Sequence, residues 1–240
     1  MRRTPAIAAL LLLLAGAGPA RAGEKLHYRW SLDGFVGFIA SIFMPTEGEG
    51  VLSLEEIAPG VSRGVLEVTS PESKSGEFFR YGAEWRRSDN RTLRAWSDQL
   101  WRGEKKSKKS ELDDAGVIDI VSGIDLLRRQ PPVSQQRLEI WSDGKRYPVI
   151  VLPRGPTHRH VAGREVATQH LSVRGVALPD RNMWKGELDL WLAEDEAATP
   201  VEILVSRRGA RVRLTLVEYP AGPRPLTATE PEGSDADHTP

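Results

Sequence analysis

Near the C-terminal end the chain alternates apolar and polar residues at period two three times in succession. ELDLWLAED places Leu188, Leu190 and Leu192 on one face, VEILVS does the same with Val201, Ile203 and Val205, and RVRLTL with Val212, Leu214 and Leu216. Only a strand puts every second side chain on the same side, so these are half-buried strands. A turn at Gly209 sends the last one back, giving a three-strand meander. The N-terminal half reads the same way. Segments 24–32, 35–44, 50–57, 62–69, 77–87 and 91–103 are of strand length and rich in β-branched or aromatic residues, with Gly, Pro, Asp-Asn or Ser clusters between them. The expected fold class is mainly β: an antiparallel curved sheet or open half-barrel with one short helix.

The most legible local unit is RLEIWSDGKRYPVIV, residues 137 to 151. Asp143-Gly144 suits the two positive-φ positions of a type I′ turn, and both flanks alternate in polarity. The turn fixes the register, setting Ser142 opposite Lys145, Ile140 opposite Tyr147 and Leu138 opposite Val149 on the core face. The other face pairs Trp141 with Arg146 and is expected to be wet, where a guanidinium over an indole contributes roughly 0.5–1 kcal/mol. Pro148 has no N–H to give, which places this hairpin near a sheet margin or a bulge. One stretch departs from the β pattern. Val117, Ile120, Val121, Ile124 and Leu127 recur at helical spacing, Asp119 can cap the start and Pro131-Pro132 stops it. Gly123 inside it costs about 1 kcal/mol relative to alanine, so the helix depends on packing against a sheet.

Residues 1–22 fit a cleaved secretory signal peptide. Arg2-Arg3 precedes an apolar run from Ala6 to Ala15, and Ala20-Arg21-Ala22 offers a cleavage site. The run is about half of the roughly 20 residues a spanning helix needs, so no transmembrane anchor is expected after cleavage. The expected location is the periplasm. Residues 23–219 form a single β-rich domain, and the proline-rich, polar segment 220–240 is expected to be a disordered tail. The chain has no cysteine, which rules out disulfides and thiolate metal sites. Loss of Arg2, Arg3 and Arg21 leaves 30 basic against 33 acidic residues, which argues against nucleic acid as a partner.

Each chemical feature has to be weighed against a structural reading. His158 and His160 would project from one face of a strand, with Glu165 or His170 as a third metal ligand, but LPRGPTHRH has the Gly and Pro content of a loop and three arginines crowd it. No metal and no cofactor are expected. GEKKSKKSELDD, with Lys105, Lys106, Lys108 and Lys109, could attract anionic lipid headgroups or a polyanion; the plainer reading is a solvated hairpin end that protects an edge. The paired acids Asp113-Asp114 and Glu194-Asp195-Glu196 read as turn residues. No nucleophile elbow, phosphate loop or dinucleotide fingerprint is present. Seven tryptophans against five phenylalanines is a high ratio, and several indoles fall out of phase with the aliphatic face of their own strand. Either a curled sheet lines a groove with them or other elements cover them. On the groove reading the ligand-binding candidates are Trp96, Trp141, Arg146 and Trp191.

The order SDNRTLRAWSDQLWRGEKKSKKSELD, DIVSGIDLLRR, IWSDGKRYPVIV and LDLWLAEDEAATPVEILVSRRGARVRLTL resembles an uncharacterised family of exported bacterial proteins, domain of unknown function 3108. The matching positions are Asp89; Asp119, Ser122, Leu127 and Arg128; Asp143, Gly144 and Lys145; and Asp195 with Pro200. YRWSLDGFVGFIAS matches the family's usual opening only approximately. The resemblance implies an envelope location and a β-rich fold, and no catalytic residues. Three readings of function follow. The first is a non-catalytic module that binds or carries a hydrophobic envelope ligand, a lipid or a glycan. The second is a protein-interaction component of an envelope complex. The third is a hydrolase using the loop carboxylates Asp119, Asp143 and Asp195.

Overall fold

The computed structural model describes residues 23–33, 46–70, 76–101, 103–142, 144–207 and 210–219. The expected signal peptide, the 35–44 strand and the C-terminal tail lie outside the described residues. Among the described residues thirteen strands form one sheet: β1 (Glu24–Asp33), β2 (Glu47–Ala58), β3 (Val61–Thr69), β4 (Phe78–Arg86), β5 (Arg91–Trp101), β6 (Glu104–Ala115), β7 (Val117–Ile118), β8 (Gln136–Ser142), β9 (Lys145–Val161), β10 (Arg164–Gly175), β11 (Gly186–Ala193), β12 (Pro200–Arg207) and β13 (Ala210–Leu216). Helix α1 (Ile120–Arg129) is the only helix among the described residues. The spatial order is β6-β5-β4-β3-β2-β1-β13-β12-β11-β10-β9-β8-β7, antiparallel except for β7 on β8. The expectation of a curved antiparallel sheet with one helix holds, and the curvature brings the sheet almost full circle into a barrel.

Closure is made by chain crossing and side chains. β6 pairs with β5 alone, and after Gly116 the chain continues into β7, which pairs with β8. Along this seam the Trp141 indole N–H donates to Ser110 Oγ at 3.1 Å, and Arg146 meets Asp114 at 2.5 Å. Ser110 lies opposite Ala95 on the inner face of β6, whereas Trp141 and Arg146 stand on the outer face of the β8–β9 hairpin. The β6 edge therefore overlaps the hairpin. Trp141 is 3% exposed, so its face is a packed seam and not the wet surface the alternation suggested.

The lysine run is the exposed end of the β5–β6 hairpin at the sheet's edge, and it extends into a full strand, Glu104–Ala115. One further expectation is corrected. LPRGPTHRH is not a loop. It lies within the 17-residue β9, where Gly155 at φ 94° and a register shift opposite His170 and Leu171 absorb the irregularity. The tip of the β9–β10 hairpin reaches over the outer face of β11 and β12. Arg159 sits 4.1 Å from the Trp191 ring and pairs with Glu202 at 3.4 Å, and Arg164 stacks 3.8 Å from the Tyr219 ring. This arm explains the out-of-phase Trp191, which is buried beneath it.

Helix α1 packs inside one end of the barrel. Asp119 caps it by accepting from the Ser122 backbone N–H at 2.6 Å, while the Asp119 N–H donates to Ser122 Oγ at 2.9 Å, a reciprocal box that satisfies two free donors. Val121, Ile124 and Leu127 join the core formed by Leu54 and Trp85. Gly64 on β3 makes this fit, since a Cβ there would lie 2.4 Å from Val121 Cγ1 and 2.9 Å from Trp85. Gly123 similarly lets Ile118 approach, so the residue that weakens the helix by itself is what seats it.

Candidate functional site

The end of the barrel beyond the start of α1 is hollow. A cavity of about 330 Å³ is floored by Ile120 and walled by Trp30 and Leu32 of β1, Leu66 and Val68 of β3, Phe79 and Tyr81 of β4, Val205 of β12, and Val212 and Leu214 of β13. Each is an inward position of an alternating strand. Small-molecule sites commonly occupy roughly 300–1,000 Å³ and are mainly apolar with a few polar groups, as here.

Strand β2 contributes no wall because it turns glycines inward. A Cβ on Gly48 would lie 2.5 Å from Trp30 Nε1 and 2.2 Å from the Thr69 carbonyl oxygen, and one on Gly50 would lie 3.0 Å from Leu214. The Trp30 indole uses this space to reach across β2 and donates to the Thr69 carbonyl at 2.7 Å. An indole laid over backbone thus forms one side of the cavity. Alternating glycines inside a strand, in EGEGV, are the sequence signal for such a close approach, and the reading by tryptophan phase passed over both them and Trp30.

Polar groups gather at the mouth. Thr69, Ser70 and Glu77 line it, and the Ser70 N–H donates to the Glu77 carbonyl at 3.4 Å. Ser70 is 9% exposed and its Oγ has no hydrogen-bond partner among the described residues. A buried hydroxyl left unmatched costs about 1–3 kcal/mol, so it is poised to accept or donate to something entering the cavity.

The opposite end also has a recess, of about 430 Å³, in which Asp125, Arg128 and Arg129 are already paired. Arg128 forks onto Glu24 at 2.7 and 3.0 Å and donates to the Ala197 carbonyl. Asp125 accepts from the Trp85 indole at 2.9 Å, from Arg129 at 2.9 Å and from Arg87 at 3.2 Å. Burial pushes the Asp119 carboxyl up to about 6, outweighing its hydrogen bonds to Ser122.

The four candidate ligand residues are not brought together. Trp96 lies on the outer face of β5, over Gly82; Trp141 and Arg146 stand at the seam; Trp191 lies under the β9–β10 arm, its ring 4.4 Å from that of His170. None of the four lines the cavity. The motif positions have structural work instead: Asp119 and Ser122 cap α1, Arg128 anchors its end, and Gly144 turns the hairpin at φ 82° with Lys145 opposite Ser142. Asp143 lies outside the described residues. Of the carboxylates considered for hydrolysis, Asp119 serves the cap and Asp195 binds the Thr199 N–H and hydroxyl and the Tyr219 hydroxyl. His158 and His160 are exposed on β9, and no group of three or more metal-ligating residues occurs among the described residues.

No family model and no curated protein matches the chain. Among solved structures it is similar to a β-barrel-like protein of domain of unknown function 1849 from Brucella abortus, at 12% identity and a TM-score of 0.41, over 81% of this chain and 95% of that one. It is also similar to the Mycobacterium tuberculosis lipoprotein LppX, at 12% identity and a TM-score of 0.29, over 80% of this chain and 83% of that one.

Proposed function

We propose that this protein is a periplasmic, non-catalytic carrier that holds one hydrophobic molecule of the cell envelope inside the barrel. The observation that carries the reading is the apolar cavity of about 330 Å³, with a buried Ser70 hydroxyl at its mouth that has no partner among the described residues. Its walls favour an acyl chain over a glycan, because a sugar would bury hydroxyls against Leu66, Val68, Val212 and Leu214 with nothing to receive them. Export is supported by the leader, with Arg2-Arg3, the Ala6–Ala15 run and Ala20-Arg21-Ala22.

Native mass spectrometry of the processed chain recovered gently from the periplasm tests this, alongside Val68→Trp, which fills the cavity from one wall. The expected spectrum shows a retained lipid-sized mass on the wild type and none on Val68→Trp. A wild-type protein that emerges clean, and takes up no acyl compound when soaked, overturns the carrier reading.

A further inference from the structure

Resting on the carrier reading, we infer that the cavity's ligand is an anionic amphiphile whose headgroup is held by Lys106 and Lys108 on the inner face of β6. Two cross-strand rows lead from the cavity to these lysines. Phe79 lies opposite Gln99, which lies opposite Lys106; Tyr81 lies opposite Ser97, which lies opposite Lys108. Both rows share the inward phase, since Phe79 and Tyr81 are cavity walls. The rows open onto a second recess of about 230 Å³ lined by Tyr81, Ser97, Asp98, Gln99, Lys106 and Lys108. Tyr81 is thus the common wall between an apolar space and a polar, cationic one.

The dimensions suit a headgroup. Adjacent strands are about 4.8 Å apart, so the lysine backbones stand roughly 10 Å from those of Phe79 and Tyr81, and an anion above Ser97 and Gln99 falls within reach of both long side chains. The lysines are also available. Among the described residues Lys106 pairs with Glu104 alone, at 3.1 Å with both side chains more than half exposed, a pair that water screens. Lys108 has no ion pair among the described residues. Asp98, the one carboxylate in the recess, accepts from the Ser107 hydroxyl.

The full processed chain, wild type and K106Q/K108Q, is titrated at low salt with dodecyl phosphate, dodecanol and inorganic phosphate, following tryptophan fluorescence and heat. Dodecyl phosphate is expected to bind about tenfold more tightly than dodecanol, the gain from two solvent-screened charge contacts, and inorganic phosphate not to saturate. K106Q/K108Q should lose that preference while binding dodecanol unchanged and melting as the wild type does. Equal binding of the two dodecyl compounds, or a preference that survives in K106Q/K108Q, overturns the headgroup assignment and leaves the carrier reading standing. Inorganic phosphate binding as tightly as dodecyl phosphate makes this a plain anion site and also overturns it. Failure of both dodecyl compounds to bind overturns the carrier reading with it.

Discussion

The two ends of this barrel are built from the same strands and filled in opposite ways. At one end α1 occupies the interior, Trp85 and Leu54 close on it, and Asp125 and Arg128 each satisfy several partners. At the other, large side chains ring an apolar cavity and the Ser70 hydroxyl has no partner among the described residues. Even the inward glycines differ in purpose. Gly64 admits the helix, whereas Gly48 and Gly50 let Trp30 lie flat and keep the cavity wide. Among the described residues the fold completes its core at one end and leaves an apolar space within it at the other.

The largest effect that would sharpen this contrast is expected at Asp125. Asp125→Ala strands the Trp85 indole and the Arg87 and Arg129 guanidiniums at the filled end and should cost about 3–5 kcal/mol, read from urea unfolding. A loss below about 1 kcal/mol would mean that the network is not what holds the plug. Next come the glycines. Gly64→Ala drives a methyl into Val121, Leu54 and Trp85 and should destabilise by about 1–3 kcal/mol, while Gly50→Ala meets Leu214 at 3.0 Å beside open space and should cost less than about 1 kcal/mol. Equal costs would break the distinction between a packed and a hollow end. The smallest effect is electrostatic. Because burial holds the Asp119 carboxyl near 6, the folded chain keeps a proton that the unfolded chain releases near its ordinary value of 3.8. This contribution to stability is therefore full below about pH 4, falls as pH rises to about 6, and is flat beyond. Asp119→Asn keeps an equivalent cap, so it should flatten that slope in urea midpoints taken across the window.

Much of the fold was readable where local chemistry and burial agree. The 137–151 register, the C-terminal meander and the helix start at Asp119 appear as the alternation and capping rules require. The lysine run was readable as an exposed hairpin edge, but its continuation as the strand β6 was not, because water on much of both faces leaves no period-two contrast. β9 was masked by its Pro-Arg-Gly-Pro run, whose irregularity a bulge at Gly155 accommodates. Within the site, tryptophan phase pointed to Trp96, Trp141 and Trp191, each of which has an outward neighbour that explains it: Gly82, Ser110 and Arg159. The cavity's own indole, Trp30, is in phase with its strand, and nothing in its own spacing sets it apart. Its partner glycines sit 18 and 20 residues further on, a relation that only pairing of β1 with β2 reveals.

A barrel whose ladder runs unbroken has a circumference fixed by whole strands and whole steps of register. This one is fastened like a belt, by Trp141 on Ser110, Arg146 on Asp114 and the crossing at Gly116. Its girth is therefore set by side-chain lengths at the overlap, and trimming or extending one residue there changes the bore without unpairing a strand.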